Sequence, residues 1–412
     1  MQSFIGLVGL GLLLGIAVLL SSNRAAINRR TVAIAFSLQA VTAAIMLYST
    51  AGRGFLERIV NGVQYVINYG NAGIEFVFGA QTTQTLGYTI AINVLPVIVF
   101  FSALMSVLYY FGIMQKFIAV VGGWLHRLLH TSQTESMSAI SNIFVWHTEA
   151  PLVVKPYLSR MSESELFAVM TGGTATIAGA IMAGYSQMGV DLQYLITASF
   201  MAAPGGLLMA KILVPETGQS TGPFDPNDTD EEKPVNLFHA IGNGAATGLT
   251  LALNVGAMLI AFVAIIALLN GLLSGITGFF GLNDYFGVDE ITLQWVLGKL
   301  LAPVAFMLGV PWVDAVDAGS LIGQKFVINE FYAYASYVEI KSTLTPQTQV
   351  IVTFALCGFA NLAAIAILIG GLGSVVPSRR KDIARLGLRA VIGGTLANLT
   401  SAALAGIFFA LQ

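Results

Sequence analysis

Two short polar runs interrupt stretches of membrane length, and each carries a carboxylate. One is Trp146-His147-Thr148-Glu149, followed by Ala150-Pro151; the other is Asn329-Glu330-Phe331. An ionisable side chain at bilayer depth costs roughly 3 kcal/mol or more, so it persists where it meets a partner, a cavity or a substrate. A carboxylate accepts from two donors at once, and an imidazole offers one donor and one acceptor. That chemistry suits recognition of a hydroxylated or amide-edged solute. Hydrolysis is the rival reading of His147 and Glu149. It lacks the two-histidine i, i+4 zinc spacing, and the four histidines of the chain stand at 126, 130, 147 and 239.

The elements that must position these runs are membrane helices. Hydrophobic residues make up 56% of the 412 residues and charged residues 10%, against roughly 25% charged in a soluble domain. A spanning helix needs about 20 mostly apolar residues. Residues 3–20, 31–48, 90–112, 166–190, 192–213, 246–270, 347–373 and 390–411 are expected to span, eight in all. With a net charge of −2 nothing suggests a nucleic-acid partner, and the lone Cys357 in an apolar run reads as a packing residue. No Lys or Arg precedes the apolar opening, which therefore reads as a first span and not as a cleaved leader.

Basic residues orient the chain. Arg24, Arg29, Arg30, Lys116, Arg127, Lys155, Arg160 and the group from Arg379 to Arg389 are expected at the cytoplasmic face. Pro215 to Pro234, rich in Asp, Gly and Pro, reads as a cytoplasmic loop. The crossings then close only if 131–158 and 313–345 enter and leave on one side, as re-entrant helical hairpins with the polar runs near their tips. Segments 53–70 and 291–308 read as interfacial helices. Asp314 and Asp317 are expected as solvated helix caps, and Lys325 as a balance for Glu330 or a snorkelling side chain.

The halves rhyme. Ile143-Phe144-Val145 precedes Glu149, and Lys325-Phe326-Val327 precedes Glu330. Each hairpin is followed by a span with small and polar residues at its middle, Gly172-Gly173-Thr174-Ala175-Thr176 in one and Gly358-Phe359-Ala360-Asn361 in the other. One unit starts inside and the other outside, so the repeats are inverted, an arrangement that puts a substrate site near the midplane at broken helices. Gly/Ala packing between spans is the plainer account of the glycines alone. A channel would instead repeat its filter around one pore.

Phe144 to Leu158, FVWHTEAPLVVKPYL, resembles the first hairpin of the concentrative nucleoside transporters. Leu308-Gly-Val-Pro-Trp312, Leu321-Ile-Gly323, Asn329-Glu330-Phe331 and Ala333-Tyr334 resemble their second hairpin. Ala355 to Asn361, Gly370-Gly-Leu372, Met182 to Tyr185 and Ala203 to Gly206 fit as well, in order from about residue 90 to the end. The resemblance implies an all-α, multi-pass plasma-membrane protein: a homotrimer of eight-span protomers with two re-entrant hairpins, working as an elevator. No cofactor is implied beyond a coupling ion, usually sodium and sometimes a proton; the partners are a nucleoside, that ion, the lipid bilayer and two further copies. Residues 1–112 would carry spans one to three on the scaffold side, and 113–130 a cytoplasmic interfacial helix. Residues 131–213 would form the first transport repeat and 214–245 the polar loop. Residues 246–312 would hold span six and an outer interfacial helix, and 313–412 the second transport repeat.

Carried over by position, the resemblance implies that His147, Thr148 and Glu149 face the nucleobase, that Glu330 and Asn361 hold the ribose hydroxyls, and that Ile181 and Phe359 line the pocket. It implies sodium at Asn142, the Val145 carbonyl, Thr176 and the Ala180 carbonyl; hard cations do suit such oxygens. The chain departs from the family where Trp146-His147 replaces Gly-Gln, where Ala363-Ala364 replaces a serine pair, and where Thr174 and Thr176 replace serines. A carrier of free bases or modified nucleosides, a proton-coupled carrier and a transport-impaired variant remain open beside sodium-coupled nucleoside import.

Overall fold

A computed structural model describes residues 2–79, 89–218, 221 and 234–411, and every described regular element is helical. In chain order these are α1 (Gln2–Leu19), α2 (Arg29–Ala43), α3 (Thr50–Phe78), α4 (Leu95–Tyr110), α5 (Ile113–Leu129), α6 (Gln133–Ser141), α7 (Lys155–Leu158), α8 (Glu163–Ala175) and α9 (Gly179–Gln187). There follow α10 (Leu192–Leu213), α11 (Leu237–Phe279), α12 (Leu282–Phe286), α13 (Leu293–Met307), α14 (Ala315–Val327), α15 (Glu330–Ile340), α16 (Pro346–Leu356), α17 (Ala363–Val375) and α18 (Arg380–Phe409).

Caps explain where many of these begin. Ser162 accepts from Glu165 N while the Glu165 carboxylate accepts from Ser162 N, closing a capping box at α8. Asn28, Ser132, Asn236 and Asn329 each accept a backbone N–H at the start of α2, α6, α11 and α15.

Among the described residues, six helices are long and apolar enough to cross a membrane: Arg29–Tyr48, Ile90–Tyr110, Glu163–Gln187, Leu192–Leu213, Leu237–Phe279 and Pro377–Phe409; Ser3–Leu19, Leu293–Met307 and Ala363–Val375 are shorter apolar helices. They fall into two groups. Helices α8, α10 and α18 pack on one another and are mostly buried, whereas α4 is largely half-buried and α11 keeps most of its residues exposed. α4 and α11 lie side by side because Gly244 and Gly248 let the backbones touch: a Cβ on either would come within 2.8 Å of α4 atoms. Ser106 Oγ donates to Ala240 O at 2.7 Å across that seam.

Several expectations change. The span expected at 347–373 is two half-helices, α16 and α17; the one expected at 166–190 is present as Glu163–Gln187, interrupted between α8 and α9. α11 begins at Leu237, taking residues 237–245 from the expected loop, and its 43 residues reach about 65 Å. Residues 53–70 belong to the single 29-residue helix α3. Residues 222–233 of the polar loop lie outside the described residues. Its described part is anchored: Thr221 donates from N and Oγ1 to the Glu165 carboxylate, and Ser162 Oγ donates to Glu216.

The first hairpin is asymmetric. Its entering arm is α6, but its returning arm is a 3₁₀ turn, Ala150–Val154, then the single turn α7, because Pro151 and Pro156 remove two amide donors. The second hairpin, α14 and α15, turns at Ile328 and Asn329.

Candidate functional site

Each hairpin tip is bonded to the broken helix that follows it. Gly179 N, at the start of α9, donates to Phe144 O at 3.1 Å; Leu362 N, just before α17, donates to Phe326 O at 3.0 Å. The two breaks also cross each other, with Phe359 N donating to Thr176 O at 3.2 Å. Gly358 permits that crossing, since a Cβ there would overlap the Asn398 amide and lie 2.8 Å from Ala175 O. Asn398, on α18, secures both breaks: its Nδ2 donates to Ala175 O at 2.6 Å and to Cys357 O at 2.8 Å.

Four helix ends therefore converge, and their charges are matched. Amide-rich N-termini carry partial positive charge and C-termini partial negative charge. Glu330 is the first residue of α15, and Asn361 precedes the start of α17, where its Oδ1 accepts from Ala364 N at 2.9 Å. Two donors reach the Glu330 carboxylate: Tyr185 Oη to Oε1 at 3.1 Å and Asn361 Nδ2 to Oε2 at 3.0 Å. At the C-terminal end of α16, Lys325 Nζ donates to Ala355 O at 3.2 Å and to Asn398 Oδ1 at 2.7 Å. Lys325 is buried and so does not snorkel; its charge is close enough to attract that of Glu330, as expected, but its ammonium meets the carbonyl end of α16 and makes no direct ion pair with the carboxylate.

The first tip is built differently. The Asn142 Nδ2 donates to Ser138 O at 2.9 Å, and its Oδ1 is buried without a partner. The amide lies against the last turn of α8, where a Cβ on Gly173 would be 3.6 Å from Oδ1. Thr176 Oγ1, at the end of that helix, donates to Gly172 O at 2.9 Å. Val145 is half-buried in the tip. Ala180 lies in the first turn of α9, while Ile177 and Ala178 are the residues of the break itself.

Around the tips is an aromatic wall. The Trp146 ring stacks on Phe359, centroids 5.5 Å apart and planes 20° apart; His147 meets Phe359 at 5.2 Å. His147 is buried, with both ring nitrogens lacking a protein partner, and so is Trp146 Nε1. Thr148 is half-buried against Gly371, where a Cβ would lie 2.5 Å from its Cγ2. Glu149 is half-buried, its N donating to Trp146 O at 2.9 Å, and Ile181 is buried in α9. On the other side, Asn329, Glu330 and Phe331 share a small cleft with Val255, Met258 and Leu259 of α11.

The structure thus brings Trp146, His147, Phe359, Asn361 and Glu330 into one neighbourhood and sets Asn142 and Thr176 at the adjoining break. Tyr185 and Asn398 were missed as site residues. Tyr185 was visible as part of Met182-Ala-Gly-Tyr185; Asn398 sits inside an apolar span whose pattern gives no sign of it. Among the described residues no three His, Cys, Asp or Glu side chains converge. The oxygens at the first break are amide, hydroxyl and carbonyl, a donor set for hard ions.

Asp314 also departs from expectation. It is a buried clasp and not a solvated cap, accepting at Oδ2 from Thr345 N at 3.0 Å and from the Thr345 and Thr348 hydroxyls at 2.6 Å each. It ties the two ends of the second hairpin together. A buried ion pair does similar work elsewhere: Lys211 Nζ on α10 donates to Glu135 Oε1 on α6 and to Ser164 Oγ on α8, both at 2.9 Å.

Comparisons with known proteins agree with this geometry. Residues 194–406 match the family described as Na+ dependent nucleoside transporter C-terminus, 8–81 match the corresponding N-terminus, and 91–191 match one described as nucleoside recognition. The nucleoside permease NupC of Helicobacter pylori is 50% identical over 100% of this chain and 99% of its own. The solved transporter CNTnw, in an inward-facing substrate-bound state, is 51% identical with a TM-score of 0.94, covering 100% of this chain and 99% of that one. A doubly substituted CNTnw in an outward-facing state gives 0.95 at 51% identity, with both chains fully covered. The chain belongs to the Na+-dependent (concentrative) nucleoside transporter family; it is a multi-pass plasma-membrane transporter and not an enzyme.

Proposed function

We propose that this member of the nucleoside transporter family is a sodium-coupled symporter that imports nucleosides by an elevator movement of its two repeats, as a homotrimer. The observation that carries the reading is the pairing of two unlike sites at one crossing of broken helices. One, at Asn142 and Thr176, offers neutral oxygens to a hard cation; the other, at Glu330 and Asn361, offers a carboxylate and an amide to vicinal hydroxyls. His147, Thr148 and Glu149 would meet the base from the first tip, with Ile181 and Phe359 as apolar lining and the Val145 and Ala180 carbonyls completing the ion's shell. The family description names sodium. The relation to one transporter solved both inward- and outward-facing supports alternating access.

In this division of labour, 131–213 and 313–412 move together, while 1–112 and 246–312 supply the scaffold. The exposed α11 is the helix against which Glu330 opens. Sodium at Asn142 would order the first tip; the ribose would then join it to the second tip through Glu330 and Asn361.

A second reading has its own observation. The Trp146 ring covers the face of Phe359 on which a base would lie, so the pocket is expected to favour small bases over purines. Uptake of labelled uridine into proteoliposomes, with an inward sodium gradient and in a sodium-free control at equal pH, tests the first reading, and competition by adenosine tests the second. Accumulation with sodium alone is the expected result. Uptake driven only by a proton gradient would overturn sodium coupling, and uptake of free bases without uridine would overturn the substrate.

A further inference from the structure

The two repeats can be superposed residue by residue through their shared backbone bonds. Gly179 N meets Phe144 O in the first repeat as Leu362 N meets Phe326 O in the second. Counting back two residues from each phenylalanine gives Asn142 and Gln324. Both donate to a serine four residues earlier, Asn142 to Ser138 O at 2.9 Å and Gln324 to Ser320 Oγ at 3.0 Å, and both keep a buried amide oxygen without a partner. Counting back seven residues from Gly179 and Leu362 gives Gly172 and Ala355, two carbonyls in the last turn of a broken helix. Gly172 O accepts the Thr176 hydroxyl, and Ala355 O accepts the Lys325 ammonium. The residue matching Lys325 in the first repeat is Ile143.

The repeats therefore share two features, a buried amide oxygen on the entering arm of the hairpin and a carbonyl at the end of the half-helix that follows. A covalently attached positive charge lies in one repeat only. We propose that Lys325 is a tethered cation at the carbonyl end of α16, the second repeat's match to the end of α8 beside the first repeat's ion site, and that its removal uncovers a site for a small monovalent cation at Ala355 O and Asn398 Oδ1. The chemistry is that of a helix C-terminus, whose free carbonyls favour positive charge whether it arrives on a side chain or in solution. In this arrangement the first half-site can empty on each cycle, while the second stays charged and holds the end of α16 to α18 throughout. The inference rests on the ion site read at Asn142, and the test separates the two.

The test is the melting temperature of the detergent-purified, full-length protein without nucleoside, titrated with sodium, lithium, potassium and choline chloride at constant ionic strength. Lys325→Ala leaves room for an ion; Lys325→Met fills the same volume without charge. Lys325→Ala is expected to melt lower than the unsubstituted protein in choline and to recover by about 5 °C or more as sodium or lithium saturates, over and above any sodium response of the unsubstituted protein. Lys325→Met is expected to show no added response. A sodium response absent from the unsubstituted protein but present in Lys325→Ala would defeat the Asn142 site alone and leave the tethered cation standing. A folded Lys325→Ala without the added response, or Lys325→Met with it, overturns the proposal. If Lys325→Ala cannot be recovered folded, Lys325→Ser, which adds an oxygen ligand, carries the test. Failure of both to fold even in saturating sodium also counts against it, because the ion is expected to replace the ammonium.

Discussion

Tyr185 of the first repeat and Glu330 of the second are joined by a buried hydrogen bond of 3.1 Å, Oη to Oε1. The tyrosine is packed edge-on to Phe331 and tilted against Tyr334, with centroids at 5.0 and 4.6 Å, so its hydroxyl cannot swing away. The carboxylate proposed to hold the ribose is thus aimed by a residue from the other half of the chain.

Tyr185→Phe should keep the ring packing and remove one of the two donors to Glu330. A hydrogen bond to a charged group contributes about 1.5–3 kcal/mol, so nucleoside affinity measured by calorimetry is expected to fall at least tenfold, with trimer size unchanged on a sizing column. Glu330→Ala should abolish binding outright. Wild-type affinity in Tyr185→Phe would show that the bond does not position the carboxylate.

Trp146→Gly should uncover Phe359 and admit larger bases. The expected readout is competition against labelled uridine: adenosine should gain about tenfold relative to uridine, a size consistent with a pocket contact of 1–3 kcal/mol. Restoring Gly-Gln at 146 and 147 together should do no less. If the adenosine-to-uridine ratio does not move, the stacked indole is not what sets base size.

Lys211→Ala should destabilise the protein by about 3–5 kcal/mol, because it strands the buried Glu135 carboxylate. Replacing the pair together, Lys211→Met with Glu135→Leu, should recover most of that loss. Thermal melting of the three proteins in detergent decides the point; a single variant as stable as the wild type would mean that water reaches Glu135.

Asp314 should make the second hairpin acid-sensitive. Burial pushes its carboxyl up, but the Thr345 and Thr348 hydroxyls and the Thr345 amide outweigh it and hold the group below the ordinary aspartate value. A depressed carboxyl stabilises the fold above its unfolded value, about pH 3.9, and that contribution disappears as pH falls through the lower folded value. Melting temperature should therefore drop below about pH 4 in the wild type, and this limb should flatten in Asp314→Asn, whose side chain does not titrate. Identical acid limbs would assign the effect to other carboxylates.

Much of this arrangement is legible in the chain. The carboxylates at membrane depth marked both tips, and the Gly-rich middles of two spans marked the breaks, since glycine is needed where Gly358 passes the Asn398 amide. Less legible was direction. Nothing in the spacing of Lys325 and Glu330 says that the lysine leans toward Ala355 O, because that depends on where α16 ends in space. The 3₁₀ return arm follows from Pro151 and Pro156 only once the tip is known to be buried. Asn398 was invisible because an asparagine on a long apolar helix is so often an ordinary interhelical bond.

That asparagine changes what duplication means here. Two copies of a module ordinarily offer insurance, since damage to one leaves the other intact. Asn398 occurs once, yet its amide serves the ends of both copies and its oxygen holds the Lys325 ammonium. A single codon is therefore answerable to both halves, and mutational tolerance at position 398 should be the lowest on α18.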